Sequence, residues 1–133
     1  MRFLLAALVL LACAGCGNDT APPTAEDGIR SAVTGQVLLG PQCPVEAVGE
    51  PCDPAPATGV TVTVSEQLPG EAYAAGPTVA EGVTDSSGRF RITLAPGDYV
   101  VTADAGMFCE LMDVSVVAGE DAVMDVPCDT GIR

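Results

Sequence analysis

The run TDSSGRFRITLAPGDYVVTA, residues 84–103, decides the fold class. Its apolar residues recur at every second position. Phe90, Ile92 and Leu94 alternate with Arg89, Arg91 and Thr93, and Tyr99, Val101 and Ala103 follow with the same period. Period two is the pattern of a strand with one buried face, so the arginines are expected to point to solvent. Asp85-Ser86-Ser87-Gly88 suits a type I turn closed by a glycine in the left-handed region, which predicts a bulged hairpin. Ala95-Pro96-Gly97-Asp98 puts proline second and glycine third, as a type II turn requires.

The same period extends in both directions. Val33, Gly35, Val37 and Leu39 share one face of an earlier strand, and Val60, Val62 and Val64 alternate with Thr61 and Thr63. Residues 78–84 form a weaker strand. Residues 111–117 and 122–127, separated by Ala118-Gly119, complete a set of seven. No stretch carries sustained helical spacing with caps. The expected fold is all-β, a seven-stranded antiparallel β-sandwich of prealbumin-like or Ig-like type. Composition agrees: 133 residues suit one domain, 48% apolar residues can fill a core, and 15 glycines with 11 prolines favour many short elements.

The N-terminus reads as an address. Met1-Arg2 precedes an unbroken apolar run, Phe3 to Ala12, too short to span a bilayer but suited to the core of a signal peptide. The run ends in Ala12-Cys13-Ala14-Gly15-Cys16, which resembles the lipobox of bacterial lipoproteins, where a cysteine thiol receives a diacylglyceryl group and becomes the new N-terminus. Cys13 follows Leu10-Leu11-Ala12, while Cys16 follows the more usual small pair Ala14-Gly15. Parity favours Cys16, because Cys43, Cys52, Cys109 and Cys128 then remain as an even set. The expected layout is a lipoprotein signal peptide over 1–15, a flexible tether over 16–32 and one domain over 33–133. The tether is polar and contains Pro22-Pro23; as coil it spans roughly 20–25 Å. Two or three acyl chains hold a protein to a membrane firmly where one does not.

Charge narrows the partners. The chain has five arginines, no lysine and 18 acidic residues, a net charge of -13. Phosphate backbones repel such a surface, so no nucleic-acid partner is expected.

The motif residues are similar to a known family. Thr84-Asp85-Ser86-Ser87-Gly88-Arg89-Phe90 followed by Leu94-Ala95-Pro96-Gly97-Asp98-Tyr99 resembles the T-D-x-x-G-x-F … L-x-P-G-x-Y pattern of carboxypeptidase regulatory-like domains, which belong to the transthyretin-like sandwiches. Gly35-Gln36-Val37 and the 59–64 strand resemble the same family's opening, and the resemblance covers roughly residues 33–133. The segment 40–46 and the ending 128–133 look like a bacterial lipoprotein branch. The resemblance implies structural roles for Asp85, Gly88, Phe90, Pro96, Gly97 and Tyr99. Gly88 and Gly97 are expected to take backbone angles other residues avoid, and the Tyr99 hydroxyl to find a backbone partner.

Cysteines in an exported chain are expected to pair. Cys43 and Cys52 flank a loop with no other means of ordering itself. If Ala118-Gly119 is a two-residue turn, facing residues sum to 237, which sets Cys109 opposite Cys128. Zinc is not expected, since there is no histidine and no close Cys-x-x-Cys pair.

Missing chemistry restricts function. Without histidine there is no Ser-His triad or Cys-His dyad, and without lysine no Schiff base, P-loop or lysine–asparagine crosslink. Paired carboxylates among Glu66, Glu71, Glu120, Asp121 and Asp125 are of the type glycosidases use, but spacing in sequence does not show convergence, and they read as solvated strand and turn residues. Asp85 reads as a turn former rather than a calcium ligand. Loops 40–58 and 65–77 are long, and Tyr73 and Phe108 are the aromatic residues not assigned to the core. The reading is a monomeric, non-enzymatic, lipid-anchored module without cofactor, facing the extracytoplasmic side, with a structural or protein-interaction role toward a cell-envelope protein or glycan. The alternative is a carbohydrate or small-ligand module using those two loops.

Overall fold

The computed structural model describes residues 30–45, 47–70 and 74–133. The expected signal peptide, the lipidation site Cys16 and all but the last residues of the tether lie outside them. Ten strands occur among the described residues, and no helix: β1 (Ser31–Gly40), β2 (Ala55–Pro56), β3 (Thr61–Gln67), β4 (Ala75–Val83), β5 (Arg89–Leu94), β6 (Gly97–Asp104), β7 (Phe108–Cys109), β8 (Met112–Val116), β9 (Ala122–Val123) and β10 (Val126–Asp129). They form two sheets, one of six strands and one of four ordered β4-β3-β6-β8. The all-β sandwich stands.

The larger sheet is organised around β1. Its first half pairs with antiparallel β5 on one side and parallel β9 on the other. Its second half pairs with antiparallel β2 and parallel β10, and β7 adds to the outer edge of β10. The strand starts at Ser31, so Ser31 and Ala32, assigned to the tether, are buried sheet residues.

The expected loops 40–58 and 65–77 are shorter than read, because β2 lies within the first and β3 and β4 take up both ends of the second. Three expectations about strand pairing also need correction. The sheet is not wholly antiparallel, because the chain's last strands run alongside its first in the same direction. The strands on either side of Asp85-Ser86-Ser87-Gly88 do not form a hairpin: β4 pairs with β3, and β5 crosses to the other sheet to pair with β1. The strands flanking Ala118-Gly119 part likewise, β8 joining β6 and β9 joining β1. Local turn chemistry is the same for a hairpin as for a corner between sheets. Burial of the apolar faces on both sides decides between them.

The core lies between the sheets. Val33, Val37, Val62, Val64, Val101 and Val126 are fully buried and pack with Phe90, Ile92, Leu94, Tyr99 and Val116. Branched side chains suit this position, since they lose little freedom on a pleated surface and interdigitate across it. On β5 the alternation is as expected, with Phe90, Ile92 and Leu94 inward and Arg89, Arg91 and Thr93 exposed.

Both motif corners are fastened by side chains. At the first, Asp85 Oδ1 accepts from the Ser87 and Arg89 amides at 2.8 and 3.0 Å, while the Gly88 amide donates to Asp85 O at 3.0 Å. Gly88 takes φ +71°, and a Cβ there would lie 2.8 Å from the Pro56 Cβ, so only glycine suits the site. At the second corner, the Tyr99 hydroxyl donates to Ala95 O at 2.6 Å. Gly97 departs from expectation, because its φ is not positive. A Cβ there would press on the tyrosine hydroxyl at 3.3 Å, so the glycine serves to clear the ring. Thr84, the first residue of the motif, is buried; its hydroxyl accepts from the Val60 amide at 2.9 Å and donates to Ala57 O.

Candidate functional surface

β1 defines two ends of the domain. The chain enters the sheet at Ser31, whose hydroxyl donates to Val117 O at 2.6 Å, while the Ala32 amide donates to Asp121 Oδ1 at 2.9 Å. The far end is reached at Gly40, which stands beside Asp129 of β10, and Asp129 in turn faces Phe108 of β7. Ten residues at about 3.3 Å each set the two ends about 30 Å apart.

Both disulfides close at or near the far end. Cys109 lies opposite Cys128, as the register predicts, and the two are bonded. The hairpin that motivated this register does not exist. The pairing survives because β7 and β10 meet antiparallel after the chain between them has visited both sheets. Cys43 and Cys52 are also bonded, closing a loop that carries a small turn with the Glu50 amide donating to Ala47 O at 3.1 Å.

Apolar side chains stand out from this end. Phe108 is 71% exposed, Val45 is 77% exposed and Val48 is fully exposed. Phe108 forms a ridge between two open depressions. One, of about 270 Å³, is lined by Pro41, Glu110, Pro127, Asp129 and Arg133, and the other, of about 420 Å³, by Glu110, Leu111 and Met112. A third, of about 490 Å³, follows the disulfide loop past Glu50 and Asp53. The rim is acidic. Arg133 pairs with Asp129 at 2.8 Å, and its guanidinium, with the Gly131 amide, pulls the Asp129 carboxyl down to about 2. Tyr73, the other aromatic candidate, and Glu71 lie outside the described residues.

The remaining candidate carboxylates do not converge. Asp121 binds Arg91 at 2.6 Å and the Ala32 amide, and both hydrogen bonds lower its pKa, that of Arg91 more. Asp125 accepts from the Gln36 amide at 3.0 Å. Glu66 stands directly opposite Tyr99 on the neighbouring strand, and the Tyr99 pKa is raised first by burial and then by that negative charge. Among the described residues no group of three or more Cys, Asp or Glu side chains gathers as a metal site. No local signal marks what Asp121 and Asp125 bind, because their partner amides, on Ala32 and Gln36, lie 89 residues away in the chain.

Comparison with solved structures finds likeness of shape at low identity. The minor pilin GBS52 of Streptococcus agalactiae is 18% identical, with a TM-score of 0.49 over 76% of this chain and 44% of the pilin. A dioxygenase domain from Streptomyces sp. SirexAA-E is 17% identical, with a TM-score of 0.47 over 83% of this chain and 84% of that one. The shaft pilin SpaA of Lactobacillus rhamnosus GG is 10% identical, with a TM-score of 0.47 over 76% and 50%. The chain spans less than half the length of GBS52. These likenesses carry no statement about activity. Comparison with curated proteins finds no match. The family model for the carboxypeptidase regulatory-like domain matches residues 48–128, from the disulfide loop through both motif corners to Cys128, and the chain belongs to that family.

Proposed function

We propose that this chain is a non-enzymatic interaction module, lipid-anchored through Cys16 on the extracytoplasmic side, that presents its far end to a cell-envelope partner. One observation carries the reading: four aspartates, among them the candidate carboxylates Asp121 and Asp125, are engaged in holding the backbone. Asp85, Asp121, Asp125 and Asp129 each accept a main-chain amide, and two of them also hold an arginine. A carboxylate so engaged serves the fold and is not free to abstract a proton from a substrate. The two disulfides support an oxidising compartment. The apolar far end, opposite the point where the tether enters, supports contact with a partner away from the membrane.

The test has two parts. Intact mass of the membrane-extracted protein, before and after reduction, is expected to show acyl chains on Cys16 and two disulfides. A photo-crosslinker placed at Phe108 is expected to capture one envelope protein reproducibly, while the same probe at Val83 on exposed β4 does not. A mass without acyl chains removes the anchor, and equal labelling from both sites removes the docking end.

The exposed Phe108 ring above an acidic rim favours a second reading, a glycan or small-ligand module. Titration with cell-wall glycan fragments, followed by NMR at Phe108 and Met112, separates it from the first.

A further inference from the structure

β1 receives the tether and crosses the sandwich from end to end. At the far end the Thr130 amide donates to Gly40 O at 3.0 Å, so the segment after β10 leaves beside the end of β1. Because β1 and β10 are parallel neighbours, the chain enters the domain at one end and leaves it at the other. A pull on Arg30 against a grip beyond Asp129 therefore acts along both strands, in opposite directions.

Hydrogen bonds between strands lie across that line. Under such a load the pairs resist together, whereas a pull that peels a strand from its end breaks them one after another. The load is shared widely. Ser31 to Gln36 pair with β5, Val33 and Thr34 with β9, Val37 to Gly40 with β10, and Leu38 and Leu39 with β2. Sliding β1 also draws Val33 and Val37 out of the core, and a one-residue step turns them to the wrong face. β10 cannot leave with the pull, since Cys128 is bonded to Cys109 of β7.

We infer that the domain is a tension-bearing strut in which β1 is the sheared, load-carrying strand between the tether at Ser31 and a grip at the far end. The inference rests on the proposed function only for the source of the pull, a membrane anchor. Resistance to shear belongs to the folded chain itself.

The experiment is single-molecule pulling on the oxidised full-length chain along two axes, with attachment through non-cysteine chemistry. One axis joins Arg30 and Arg133. The other joins Arg30 and Gly119, which lies just past Val117 at the entry end and so peels β1 away. The first axis is expected to rupture at about twice the force of the second or more, since it loads the pairs together. Equal forces, or a weaker Arg30–Arg133 axis, overturn the inference. Loss of the lipid anchor would appear in the mass of Cys16 and leave both forces unchanged, so the two failures are told apart.

Discussion

Cys109 and Cys128 face each other across β7 and β10 with their Cα atoms 3.9 Å apart, tying the segment after β6 to the last strand of the other sheet. Closing a loop of this length stabilises a fold by about 3 kcal/mol in the chain-entropy account. The double variant Cys109→Ala with Cys128→Ala is expected to lose about that much in urea unfolding. The pair Cys43→Ala and Cys52→Ala should cost clearly less, because its loop is exposed and becomes free in both folded and unfolded states. Equal losses would contradict this division.

Gly35 meets the backbone of the segment between β9 and β10. A Cβ on residue 35 would sit 1.6 Å from the Met124 carbonyl oxygen, an approach that no rotamer relieves. Gly35→Ala must move main chain, so its cost should exceed the usual overpacking range, at more than about 3 kcal/mol. Circular dichroism melting checks this, and a near-native melting temperature would refute it.

Tyr99 ties its own corner through the bond to Ala95 O. Tyr99→Phe is expected to lower stability by about 1 kcal/mol. The native hydroxyl titrates above its ordinary 10.0. Its contribution is therefore complete below pH 10 and declines as pH rises through the native value. Alkaline unfolding curves of the two proteins should converge there.

Acid acts in the opposite sense. Asp85, Asp121 and Asp129 all titrate below their ordinary 3.8, through hydrogen bonds from amides and arginines. Their contribution is present above about pH 4 and fades as pH falls through the native values, about 2 for Asp129. Arg91→Gln removes the largest cause at Asp121, and an NMR titration should find that carboxyl moved back toward 3.8. No movement would mean that the Ala32 amide alone sets it.

Phe108 stands in solvent and supports no core contact of its own. Phe108→Ala should change stability by no more than about 0.5 kcal/mol. Under the proposed function it should nevertheless abolish crosslinking at the far end. A stable variant with full partner capture would move the docking surface elsewhere.

Much of this architecture is legible in the chain alone. Alternation along residues 89–103 fixes which side chains are buried, because a strand puts successive residues on opposite faces whatever it pairs with. Asp85, Gly88, Pro96 and Tyr99 mark their corners because those interactions span only a few residues. The Cys109–Cys128 register also follows from position, although through a hairpin that does not form. Strand partnership is a different matter. That β4 and β5 part company, that β10 runs parallel beside β1, and that Gly35 yields to Met124 all depend on residues far apart in sequence. Only closing the apolar faces of two sheets over one core brings those residues together.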